Sequence, residues 1–148
     1  MKKMKAKKIG MTQIFDESGK VFPVTLVVPV MSEKSDGTEA VFTEGETIVV
    51  SGISKGKGFQ GVVKRHKFGG GRRTHGQKHS EREAGSIGGG GRAGGRVVKG
   101  TRMAGRMGGE KITVKNLRII KISPENREIF VRGAIPGRRG TLVEIRGI

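Results

Sequence analysis

The chain contains no cysteine, tryptophan or tyrosine, and six phenylalanines are its only large aromatic residues. Without cysteine there is no disulfide framework, no thiolate metal site and no thiol nucleophile. No apolar run approaches the ~18 residues of a membrane-spanning helix. The basic start of the chain lacks the apolar core and small-residue cleavage site of a signal peptide. The expectation is a soluble, cytoplasmic protein without a membrane partner. Apolar side chains are also scarce, at 33% of 148 residues, and only with the 27 glycines counted does the chain reach the ~45–50% usual in globular domains. Acid is outnumbered more than twofold: 13 Asp and Glu stand against 30 Lys and Arg, a net charge of +17.

What is abundant is glycine, with 27 residues, and basic charge, and the two coincide. Residues 1–50 hold seven basic and seven acidic side chains, whereas residues 51–110 hold 14 basic, three acidic and 19 of the glycines. Residues 111–148 return to nine basic and three acidic. The middle of the chain is therefore a different material from its flanks.

The flanks read as β-structure. Residues 8–15 (KIGMTQIF) and 21–28 (VFPVTLVV) surround an Asp-Glu-Ser-Gly break, the pattern of a hairpin. Val24, Leu26 and Val28 alternate with Thr25 and Val27, which predicts burial on at least one face. Further runs at 47–50, 112–114, 117–122, 128–131 and 142–145 bring the total to seven short, β-branched candidates punctuated by Gly and Pro. The predicted fold is mainly β, a small antiparallel barrel. Helix evidence is confined to Phe59, Val62, Val63 and His66, spaced for two turns over 59–66. Residues 32–39 read as a polar surface loop.

Residues 69–109 cannot bury enough apolar surface to offset the entropy of ordering them. An excursion of ~40 residues without a strand or helix pattern is too long for an ordinary loop and points to function. Its chemistry suits polyanion. Arg and Lys neutralise phosphates and release counterions, and glycine lets the backbone approach them. The proposed phosphate contacts are Lys55, Lys57, Lys64, Arg65, Lys67, Arg72, Arg73, Lys78, Arg82, Arg92, Arg96, Lys99, Arg102 and Arg106, with His75 and His79 as further RNA contacts. Gly56, Gly58, Gly76, Gly88 and Gly105 are assigned close backbone approach. Lys2, Lys3, Lys5, Lys7 and Lys8 form a basic N-terminal segment that either clamps RNA beside the barrel or stays solvated. The near absence of aromatics after Phe68 argues against a base-stacking platform.

Other motifs do not carry chemistry. Residues 56–61 (GKGFQG) match G-x-G-x-x-G, and Glu81 lies 20 residues beyond. A dinucleotide site needs a following βαβ unit, however, and a basic glycine tract follows instead. His75 and His79 are spaced for one helix face but lack a third ligand, and Gly76 between them disfavours the helix. Ser86 has no identifiable base-orienting partner. Met103 and Met107 read as packing residues. No cofactor and no enzymatic activity are expected, with magnesium entering only as a counterion of RNA.

The longer motifs occur in a fixed order: residues 7–15 (KKIGMTQIF), 54–66 (SKGKGFQGVVKRH), 85–88 (GSIG), 99–108 (KGTRMAGRMG) and 131–137 (VRGAIPG). Together they closely resemble the bacterial type of the universal large-subunit ribosomal protein L3 family. The resemblance implies a translation-factor-like β-barrel, formed by residues 1–54 and 107–148. It implies a basic extension over 55–106, with a short helix near 59–66 and an arm over 68–106 whose tip lies near 86–92. It further implies contact with the 3′ region of large-subunit RNA, a part in early assembly, reach toward the peptidyl transferase centre, and neighbouring large-subunit proteins as partners. No homo-oligomer is expected. The chain departs from the family twice. Some fifty residues that the family carries between its second and third strands are replaced by a short polar loop at 31–46. Gly89 stands where some bacterial members carry a methylated glutamine. The competing readings are a free RNA chaperone, which predicts a terminal basic tail, and a nucleotide-dependent enzyme, which predicts a parallel α/β pattern.

Overall fold

The computed structural model describes residues 2–30, 42–89, 91 and 94–148. The chain divides into two compact units, one of Met1–Lys55 with Gly109–Ile148 and one of Gly56–Gly108.

In the first unit, among the described residues, six strands close into an antiparallel barrel. They are β1 (Lys3–Phe15), β2 (Val21–Pro29), β3 (Thr47–Ile53), β6 (Lys111–Ser123), β7 (Glu128–Arg132) and β8 (Leu142–Gly147), in the order β1-β2-β7-β6-β3-β8. The β1–β2 hairpin turns where the sequence breaks. Gly19 takes φ +76 and donates to Asp16 O at 2.8 Å, while Asp16 N reaches Lys20 O at 2.9 Å. Closure of the barrel comes from the far end of the chain, where Lys3–Lys7 pair with Arg146–Leu142. Closure removes the unpaired edges that an open sheet would leave.

The core gathers Ala6, Val27, Ile48, Val50, Ile119, Ile129, Val131, Val143 and Ile145, together with Phe42 and Ile135. Burying each valine, isoleucine or phenylalanine among them fully is worth ~1.5–3 kcal/mol. On β2 the core face is that of Thr25 and Val27, opposite Val131 and Ile129 of β7. Val24 is also fully buried but lies outside the core cluster. Polar groups inside are matched: Thr25 Oγ1 donates to Gly133 O at 2.6 Å, and Ser51 and Thr113 hydroxyls meet at 2.8 Å.

Two elements differ from the sequence expectation. The first is β6, a single strand that takes in both runs, 112–114 and 117–122. Between Ile48 and Val50 the register slips, so Lys115 and Asn116 oppose a single residue of β3. Asn116 takes φ +57, a left-handed state asparagine tolerates. The polar pair that looks like a break is a bulge. A second slip at Ile120 lets the same strand continue along β7.

The other difference lies in the second unit, where the strands β4 (Gly58–Gln60) and β5 (Gly105–Met107) pair antiparallel, with Phe59 opposite Arg106. A five-residue helix, α1 (Val62–His66), follows β4. The helix expected over 59–66 thus begins only at Val62. Residues 58–60 are taken by the β5 ladder, and Phe59 is 72% exposed rather than on a packed helix face. Lys67, at φ +60, ends the helix in a left-handed turn. Among the described residues from 67 to 104 there is neither α-helix nor β-strand. The polar loop read at 32–39 lies outside the described residues, as does Arg92 near the implied tip.

Candidate nucleic-acid interface

Residues 56–108 carry thirteen Lys and Arg against two acids, Glu81 and Glu83. Internal neutralisation is therefore impossible, and the side chains are placed accordingly. Lys57, Lys64, Lys67, Arg72, Arg73, Lys78, Arg82, Arg96, Lys99, Arg102 and Arg106 are exposed, as are His75 and His79. Lys55, the remaining basic candidate, is exposed at the end of the first unit's segment.

Arg65 stands apart. It is half-buried, and its Nη1 donates to Met103 O at 2.7 Å. His66 Nε2 lies 3.0 Å from the same carbonyl, and its ring is tilted against Phe68 at 6.1 Å between centroids. A Cβ on Gly105 would sit 2.7 Å from Arg65 Nη1. Arg65, His66 and Gly105 thus fasten the two chain segments next to the β4–β5 ladder. Gly105 serves close approach, but to Arg65 of its own unit. Lys57 N adds a bond to Met107 O at 2.9 Å.

Residues 71–81 form a closed loop. Gly71 N donates to Glu81 O at 3.0 Å, and Arg73 Nε pairs with Glu81 Oε2 at 3.1 Å. The chain reverses at His75 and Gly76, with φ of +58 and +76, so His75 lies in a turn and does not share with His79 the helix face considered for a metal. The loop presents Arg72, Lys78 and His79 outward without strand or helix, and Arg82 follows it, also exposed. Closing it demands two glycines that sequence reasoning missed: a Cβ on Gly71 would lie 2.8 Å from Ser80 O, and one on Gly70 would collide with Glu81 O. The signal is the Gly69-Gly70-Gly71 triplet itself. A further turn places Lys99, with Thr101 N and Oγ1 both donating to Val98 O at 3.1 and 2.6 Å.

The other glycines assigned close approach differ among themselves. A side chain on Gly56, Gly58, Gly76 or Gly88 would meet open space, and Gly58 and Gly76 also have positive φ. Among the described residues no three His, Cys, Asp or Glu side chains gather as a metal cage.

The family model described as Ribosomal protein L3 matches residues 1–129. The chain is 59% identical over 105 residues to the Large ribosomal subunit protein uL3 of Chlorobaculum parvum, covering 71% of this chain and 50% of that one. It is 50% identical over 135 residues to the uL3 of Chlorobium phaeovibrioides, covering 91% and 61%. With the uL3 of Dehalococcoides mccartyi it shares 39% over 195 positions, covering 95% of each. The chain spans about half the length of the first of these relatives. The last alignment is longer than the chain's own 148 residues, so that relative carries residues without a counterpart here.

Proposed function

The chain belongs to the ribosomal protein L3 family, and from that premise we propose that it is a structural constituent of the large ribosomal subunit, in the cytoplasm, and not an enzyme. In this reading the barrel is the body, and the unit of residues 56–108 is an RNA-binding extension. The exposed Lys and Arg of that unit neutralise phosphates, and its turns set their spacing without side-chain bulk. Contacts of this kind read backbone and shape rather than sequence. Lys55 and Arg92 join the same set. The finer assignments are the 3′ region of the large-subunit RNA, a part in early assembly, reach toward the peptidyl transferase centre, and adjacent large-subunit proteins as partners.

One observation carries the reading. A unit with thirteen basic and two acidic residues is inserted into a barrel whose strands on either side of it, β3 and β6, pair with each other. A free chaperone with a basic tail has no need of that anchoring. The test is sucrose-gradient fractionation of a lysate at high and low magnesium. Co-migration with the large subunit through a high-salt wash is expected, and recovery only in the ribosome-free fractions refutes the proposal.

A further inference from the structure

The first unit carries its own group of uncompensated cations on the barrel. The loop of residues 133–141 connects β7 to β8. Its start is fixed by Gly133 N to Pro23 O at 2.8 Å and by the Thr25 hydroxyl on Gly133 O. Its remainder is gripped by Lys8. That residue is 8% exposed, and its Nζ donates to Ile135 O at 2.7 Å and Gly137 O at 3.0 Å. Its backbone accepts from Gly140 N at 2.7 Å and donates to Thr141 O at 3.0 Å. Ile135, Pro136 and Gly137 are consequently buried, and Arg138, Arg139 and Gly140 are turned out to solvent.

The outward tip is shaped rather than loose. Arg138 N donates to Thr141 Oγ1 at 3.0 Å. Gly137, at φ +91, has Thr141 Cβ and Cγ2 only 2.9 Å from where a Cβ would stand. The Arg139 guanidinium lies along Gly10, with Nη2, Nε and Cζ at 3.4, 3.5 and 3.6 Å from that residue's missing Cβ. Lys7 Cε reaches to 3.8 Å from the Cβ position of Gly140. Lys55 is close enough that its charge, after burial itself, pulls the Lys8 ammonium pKa below its usual value. Lys7, Lys55, Arg138 and Arg139 make no ion pair among the described residues. Glu144, on β8, is already engaged by Lys3, Lys111 and Arg146.

We propose that the loop of residues 133–141, with Lys7 beside it, is a second phosphate-binding site, on the barrel, that takes the sugar-phosphate backbone of RNA. Two adjacent guanidiniums held on a buried base suit bidentate phosphate contacts. With no aromatic residue in the loop, base stacking has no platform there, so the ligand class is backbone and not base. The site rests on the reading of the chain as an RNA-binding protein, and its test separates the two.

The isotope-labelled full chain is titrated with a mixed-sequence RNA duplex while backbone amide resonances are followed. Shifts are expected at Arg139, Gly140, Thr141, Lys7 and Gly10 as well as within 57–106. In the double variant Arg138→Ala with Arg139→Ala, both sites being exposed, the loop shifts should vanish. The slope of log affinity against log salt should fall by roughly 1.8, at ~0.9 for each duplex phosphate no longer neutralised. Shifts confined to 57–106 overturn the barrel site and leave the RNA-binding extension standing. Shifts confined to the loop support the barrel site and overturn the extension. An absence of shifts overturns both. Equal loop shifts with polyglutamate at matched charge overturn the ligand class.

Discussion

Replacing Lys8 by Met tests how the barrel holds the loop of residues 133–141. The substitution keeps the length of the side chain and removes its charge and its donors. Two hydrogen bonds disappear, to Ile135 O at 2.7 Å and Gly137 O at 3.0 Å, in a stretch that is buried. Each carbonyl left without a donor costs about 1–3 kcal/mol. Against this, Met is spared the desolvation of an ammonium, which offsets part of the loss. The net expectation is a destabilisation of about 2–3 kcal/mol. At ~4 °C per kcal/mol for a chain of this size, the melting midpoint falls by roughly 10 °C. The pH dependence adds a sign. Burial first and Lys55 second lower the Lys8 pKa in the folded state. Between that lowered value and the ordinary lysine value near 10.4, the unfolded chain binds more protons, so stability rises with pH. Below the lowered value the penalty is constant. The neutral amine still donates to both carbonyls, so the advantage of the native chain over Lys8→Met should widen as pH climbs through the alkaline range. Urea denaturation of both chains from pH 7 to 10.5 checks this. A variant of equal or greater stability, or a gap that closes with rising pH, refutes the reasoning.

Glu144 on β8 accepts from Lys3 at 2.8 Å and Arg146 at 3.1 Å, and these bonds, Lys3 foremost, hold its carboxyl at about 2. A carboxylate so depressed contributes fully above the unfolded value near pH 4.3, and its contribution is lost as pH falls toward 2. With partners about half exposed, the contribution is about 1 kcal/mol. Glu144→Gln should flatten the acid limb of a stability–pH curve by that amount, and an unchanged limb contradicts it. Gly70→Ala puts a Cβ at φ +76 into the Glu81 carbonyl. It should release the Gly71 N to Glu81 O bond, seen as reduced hydrogen-exchange protection of the Gly71 amide, while the barrel's melting midpoint stays put. Retained protection at Gly71 counts against the loop geometry.

Much of the barrel is legible in the sequence because its signals are local. The Asp-Glu-Ser-Gly turn between β1 and β2, the apolar runs of β3, β7 and β8, and the excess of basic glycine-rich chain are each visible within a short window. The bulge at Lys115 and Asn116 is not, because a polar pair in a bulge and a polar pair between two strands are written alike. The helix expected over 59–66 is shorter in the structure for a related reason: the ladder that claims residues 58–60 is supplied by residues 105–107. The same distance hides the site geometry. Arg65 reads as one more free cation until Met103 O is brought to it. Lys8 reads as part of a basic N-terminal segment until Ile135 and Gly137 arrive more than 120 residues later. Arg138 and Arg139 sit outside the most basic window, and nothing in their own neighbourhood of sequence sets them apart.

Ser54 N donates to Glu110 O at 2.9 Å, so the first unit releases and recovers its chain at one doorway. Polymer statistics make such a detour cheap to resize: doubling or halving a flexible excursion changes its closure cost by only ~0.6 kcal/mol. The barrel is accordingly almost indifferent to how far the inserted segment travels. The length of that segment can therefore be set by demands other than the stability of the barrel that holds its ends.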